Sequence, residues 1–149
     1  MTPFYRRVLT AVGTTAEIGD IARSASCGAF ADASGAVTQV TNLSVTAKVS
    51  GRSAYKLELV NDNSGSTAIF GGSHPSSGDF KFFVYRDGVK ISEQIISMLT
   101  AATNQFPANL AFTDLDAPEG TYTYTVRVQR VTASTTVIIE YFKLIGYEL

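Results

Sequence analysis

Residues 119–149, EGTYTYTVRVQRVTASTTVIIEYFKLIGYEL, decide the fold. Their first half alternates strictly. Tyr122, Tyr124, Val126 and Val128 fall on one side, and Thr121, Thr123, Thr125, Arg127 and Gln129 on the other. A period of two is the mark of a strand with one buried face. The second half is apolar on both sides. Val137, Ile139, Tyr141 and Ile145 lie on one, and Ile138, Phe142 and Leu144 on the other. The segment therefore reads as a hairpin, 120–130 with 135–147, whose second strand is covered on both faces.

Upstream the same period recurs. Residues 43–49, LSVTAKV, and 54–60, AYKLELV, alternate around the SGRS turn. NDNSGS (61–66) is a dense cluster of turn formers, and a short strand is expected at 67–71. GGSHPSSGD (71–79) reads as a loop. Residues 79–86, DFKFFVYR, form a strand with Phe80, Phe82 and Val84 on one side, and Asp87-Gly88 suits a tight hairpin turn. In residues 89–98, Ile91, Ile95, Met98 and Leu99 have helical spacing, but the preceding hairpin signal favours a strand. A loop holding Pro107 spans 100–109, a strand follows at 110–114, and DAPEG turns into the closing hairpin. About eight strands from residue 36 onward predict an all-β sandwich or barrel.

Residues 1–34 differ. They are rich in Ala, Thr, Ser and Gly, with isolated apolar residues at Phe4, Tyr5, Val8, Leu9, Ile18 and Ile21. This reads as an extended N-terminal arm that docks on another surface, ahead of a domain at 35–149. The apolar run Val8–Val12 after Arg6-Arg7 is about half the length of an export signal, so export is not expected. No stretch approaches the roughly 20 apolar residues of a membrane helix.

The chain has 149 residues, enough for one domain that buries roughly 70% of its unfolded surface. Charged residues make up 17%, against about 25% in a typical domain, and the net charge is −1. That balance argues against nucleic-acid binding, which uses a basic face. A single cysteine, Cys27, forms no intrachain disulfide and reads as a small, partly buried residue.

Little in the inventory points to catalysis. His74 is the only histidine and lies beside Ser73, Ser76, Ser77 and Asp79, but no nucleophile-elbow pattern accompanies it. Cys27 and His74 are too few for zinc, which takes three or four such ligands. NDNSGS resembles the front of a calcium loop but lacks the closing glutamate. A glycosidase-type pair drawn from Glu58, Glu93, Asp114, Asp116, Glu119 and Glu140 would leave no sequence signal. Asn42-Leu43-Ser44 matches a glycosylation sequon by pattern alone. No cofactor and no enzyme activity are expected.

Four stretches taken together carry a resemblance: VTNLSVTAKVSGRSAYKLELV, FKFFVYRDGVKI, FTDLDAPEGTYTYTVRV and IIEYFKLIGYEL. In this order they resemble the small jelly-roll domain, similar to the tumour-necrosis-factor and complement C1q heads, found in virion proteins of tailed bacteriophages. The likeness covers roughly residues 25–149. It implies a jelly-roll β-sandwich, a homotrimer, a place on the virion surface after assembly in the host cytoplasm, and no catalysis. Partners implied are other virion proteins, such as major capsid or tail proteins, and a host surface glycan. Without a shaft in the chain, a capsid decoration or cement protein is slightly favoured over a tail-fibre tip. In a trimer, Ile138, Phe142 and Leu144 would face neighbouring subunits; in a monomer, 137–147 would be a central strand covered by the arm.

Overall fold

A computed structural model describes residues 7–106 and 111–149. Its regular structure is β throughout: β1 (Ala22–Arg23), β2 (Ala29–Asp32), β3 (Thr38–Val49), β4 (Tyr55–Asn61), β5 (Ile69–His74), β6 (Gly78–Arg86), β7 (Val89–Met98), β8 (Ala102–Gln105), β9 (Ala111–Asp114), β10 (Gly120–Arg130), β11 (Thr136–Glu140) and β12 (Phe142–Glu148). They form three antiparallel sheets, ordered β1-β12-β4-β9, β3-β10-β6-β7 and β2-β11-β5-β8. The first and third are in line. The chain passes from one to the other between β1 and β2, β4 and β5, β8 and β9, and β11 and β12.

The arrangement is sandwich-like. Inward-facing rings interleave between the sheets: Tyr55 stacks on Tyr124 at 5.1 Å, Phe70 meets Phe82 edge-on at 5.5 Å, and Phe82 stacks on Phe112 at 5.6 Å. Each large side chain buried this way contributes about 1.5–3 kcal/mol. The alternating residues of 43–49, 54–60, 80–84 and 122–128 supply most of this core, as their period predicts. Asp87 and Gly88 take φ of 47° and 79°, the paired positive values of a two-residue hairpin turn, and residues 89–98 are a strand.

The two-faced apolar strand has a local explanation. Tyr141 adopts a φ of 60° and interrupts the ladder between β11 and β12. Val137 and Ile139 point inward before it; Phe142, Leu144 and Gly146 point inward after it. The three-residue step from Ile139 to Phe142 reverses the parity, so one buried face reads as two. The same step recurs from Ser24 to Cys27, and from Val40 to Leu43 around Asn42, whose φ is 63°. Extra residues of this kind bend a strand and re-aim its side chains. Phe142 and Leu144 are thus buried within the chain itself, which corrects their assignment to a subunit interface. Ile138, half-buried on the other side of β11, is the one of the three that faces away from the core.

The expected arm is also corrected. Residues 22–32 are strands of the domain: β1 pairs with β12 from Ala22↔Gly146, and β2 with β11 from Ala29↔Glu140 to Asp32↔Val137. Between them Ser24 N–H donates to the Leu144 carbonyl, Cys27 N–H to the Phe142 carbonyl, and Tyr141 N–H to the Gly28 carbonyl. Further upstream, Leu9 bridges to Ile21 and Ala16 to Ala47, and Ala16 is fully buried. The chain therefore supplies its own docking surface for most of this segment. Phe4 and Tyr5 lie outside the described residues.

Two loops shrink. Gly71 and Gly72 are not turn residues but lie in β5, packed against neighbouring backbone. A Cβ at Gly71 would overlap the Asn104 carbonyl oxygen, and one at Gly72 would lie 2.8 Å from the Thr136 carbonyl oxygen. Part of the expected 100–109 loop is β8, while Pro107 lies outside the described residues. Gly71→Ala is expected to lower stability by about 1–3 kcal/mol or more, because backbone yields less than a side-chain tip. Chemical denaturation measures this; a loss below about 0.5 kcal/mol, the usual range for neutral surface changes, would mean that β8 shifts aside freely.

Candidate functional site

The sequence-predicted chemical groups are scattered and mostly occupied by the fold. His74 ends β5; its Nε2 lies 2.9 Å from the Ala133 carbonyl oxygen, and its Nδ1 accepts the Ser76 N–H at 2.9 Å. The ring ties the 75–77 turn to the β10–β11 turn. None of its hydrogen bonds is to a carboxylate. Cys27 is buried at the β11–β12 interruption, where Phe142 N–H points at Sγ from 3.4 Å. Burial raises its thiol above the ordinary range, which disfavours the reactive thiolate. Among the described residues, no group of three or more His, Cys, Asp or Glu is placed to hold a metal ion.

Asp62, from the calcium-like stretch, is buried and used as a strut. Its Oδ2 accepts the Ser26 hydroxyl at 2.5 Å, its Oδ1 accepts the Ser64 N–H at 2.9 Å, and its own N–H donates to the Tyr141 carbonyl. The Ser26 and Ser64 hydrogen bonds hold its carboxyl below the usual range. Two of the interrupted segments, at Ser26 and Tyr141, are thus fastened to the turn after β4 through one aspartate. Asn42 joins the same region, its side-chain N–H donating to the Ser26 carbonyl at 3.0 Å.

Of the candidate carboxylates, only Asp114 and Asp116 are seen to share a cleft. Glu58 pairs with Lys56, and Glu93 with both Lys81 and Lys90. Asp114 lies in a cleft of about 310 Å³ with Arg86, Asp116, Ser92 and Phe112. Its Oδ2 accepts from Arg86 at 2.7 Å and from the Tyr124 hydroxyl at 2.9 Å, while Arg86 lies over the Tyr122 ring at 5.1 Å. Burial and the neighbouring carboxylate push the Tyr124 hydroxyl well above its ordinary range. Asp114 is thus a charge-neutralised anchor joining β9 to β10 and β6, a geometry that no sequence spacing announced.

Part of what the fold leaves exposed near the N-terminus is apolar. Val8, Leu9, Val12 and Ile18 are 47–56% exposed, although the segment carrying them is fixed to the domain through Ile21 and Ala16. Ile21 itself is half-buried, with Ile21 N–H bonded to the Val8 carbonyl. Four of the six residues expected to anchor the segment are therefore accounted for, three of them (Val8, Leu9 and Ile18) with their side chains presented outward.

No family model matches the chain, and no curated protein matches it. Solved structures give distant likenesses. One is an insecticidal delta-endotoxin, Cry8Ea1, from Bacillus thuringiensis, at 13% identity over 81% of this chain and 19% of that one, with a TM-score of 0.37. A Cry1Da tryptic core variant from the same organism matches at 9% identity over 91% and 25%, with a TM-score of 0.33. A β-glucosidase from Paenibacillus barengoltzii matches at 9% identity over 97% and 13%, also with a TM-score of 0.33. The chain spans a quarter or less of each of these proteins.

Proposed function

We propose that this is a non-enzymatic structural protein of the exterior of a tailed-bacteriophage virion, a capsid decoration protein that attaches to major capsid or tail proteins through its N-terminal segment. The observation that carries the reading is the row of exposed apolar side chains at Val8, Leu9, Val12 and Ile18 on a segment already held in place. A preordered apolar surface binds without the entropy cost of ordering a free tail.

The strand order supports the jelly-roll part of the reading. If strands that run in line are joined, eight long strands stand in the orders 1-8-3-6 and 2-7-4-5, the pattern of two interlocked Greek keys. The homotrimer rests on the resemblance and draws no support from Phe142 or Leu144. Ile138 is the member of the expected interface that remains available to it.

Replacing Val8, Leu9, Val12 and Ile18 together by Ser tests the anchor. These positions are exposed, so the thermal transition should move little. Incorporation into particles, read by electron cryomicroscopy and by co-sedimentation, should fall at least tenfold. Unchanged incorporation would overturn the anchoring role; absence of the wild-type chain from particles would overturn the virion assignment.

A further inference from the structure

Residues 12–14, Arg23 of β1 and parts of β3 line a cleft of about 340 Å³. That volume is within the range of small-molecule sites. Its lining is mostly polar, and Arg23 is its only charged residue. Among the described residues the Arg23 side chain makes no ion pair and no hydrogen bond, and its Nε is buried. Arg86 is held by Asp114 and Arg7 by the Glu148 carbonyl oxygen, while Arg127, whose Nε is likewise buried and unpartnered, has its guanidinium over the Tyr85 ring at 4.1 Å; Arg23 has no such contact among the described residues. A buried N–H without a partner is costly, so the position asks for an acceptor.

The groups around it narrow the acceptor's chemistry. The side chains of Thr14, Gln39 and Ser44 line the same cleft and are without hydrogen-bond partners among the described residues. Asn42 also lines it, with its side-chain N–H already given to Ser26 and its amide oxygen free to accept. Val12 and Val45 supply a small apolar patch. One planar cation, several neutral donors and acceptors, and no carboxylate match a ligand with one anionic group and several hydroxyls. A guanidinium matches a carboxylate in a two-point fork.

We propose that this cleft binds a small polyhydroxylated carboxylate, an acidic sugar unit, with its carboxylate on Arg23 and its hydroxyls on Thr14, Gln39 and Ser44. The site stands whether or not the protein belongs to a virion.

The test is a titration of the isotope-labelled full chain, followed by amide resonances, with sodium glucuronate, glucose and sodium sulfate. Glucuronate should produce saturable shifts at Thr14, Arg23 and Ser44, and glucose at the same concentration should not. Arg23→Gln should weaken glucuronate at least tenfold with an unchanged melting temperature, and Arg23→Lys, which keeps the charge but loses the fork, should fall between. If Arg23→Gln does not fold, Ser44→Ala decides, with a threefold or greater weakening expected. No saturable shift with glucuronate, or full binding by the variants, overturns the site. Sulfate binding as tightly as glucuronate overturns its sugar specificity.

Discussion

Phe142→Asp is expected to yield a chain without a cooperative folding transition. Phe142 is 4% exposed at the first position of β12, immediately after the parity reversal, and it joins the core of the single chain. Truncating a buried phenylalanine costs about 3–5 kcal/mol. An unpaired carboxylate in its place adds a further penalty of several kcal/mol. A domain holds only about 5–15 kcal/mol in total. Circular dichroism during heating measures the outcome. Ile138→Asp, on the outward side of β11, should fold. If Phe142→Asp instead folds and only its assembly mass changes, Phe142 belongs to a subunit contact after all.

Deleting residues 2–30 is expected to abolish folding too. The deletion removes β1 and half of β2, together with the buried Ala16, Ala22 and Cys27. It also removes the bonds Ser24 N–H to Leu144, Cys27 N–H to Phe142, Tyr141 N–H to Gly28, Ala16 N–H to Thr46 and Lys48 N–H to Ala16. At about 1 kcal/mol each, these five approach the lower end of a domain's total stability before any apolar burial is added. Deleting only residues 2–15 should leave a folded protein with a reduced melting temperature, because β1 and β2 stay. A normal thermal transition for the longer deletion would show that the sandwich closes without its first strands.

The contrast between these segments shows what the sequence makes legible. Strands whose inward positions hold large side chains, such as Phe80, Phe82 and Val84, announce themselves by period. β1, β2 and the link between them do not, because β1 and β2 are only two and four residues long and the buried positions at Ala22, Ser24 and Cys27 hold small side chains that resemble a flexible tail. The parity reversals at Tyr141 and Asn42 are hidden because positive φ there is taken by residues other than glycine. Gly71 and Gly72 mislead in the opposite sense: they look like a turn, and only the approach of β8 reveals their packing role. β8, ATNQ, is polar and largely exposed, so no pattern marks it. For the candidate sites, exposed apolar residues at 8, 9 and 18 were visible as isolated hydrophobes. The Arg23 cleft was not, because it draws on residues from the N-terminal segment, β1 and β3 that only the fold brings together.

The pairing of Ala22 with Gly146 joins residues 124 positions apart (146 − 22). During synthesis at about 5–20 residues per second, β1 leaves the ribosome roughly 6–25 seconds before its hydrogen-bonding partner. Throughout that interval the nascent chain holds Ala22 and Cys27 without the strand they close against, although Ala16 meets its partner at Ala47 much earlier. Non-local closure of this kind places the protein among slow-folding β topologies, with rates in the millisecond-to-second range once the chain is complete. The small buried residues Ala22, Ser24 and Cys27 suit that wait: they seal the flank when β12 arrives, and until then they offer other nascent chains little to adhere to.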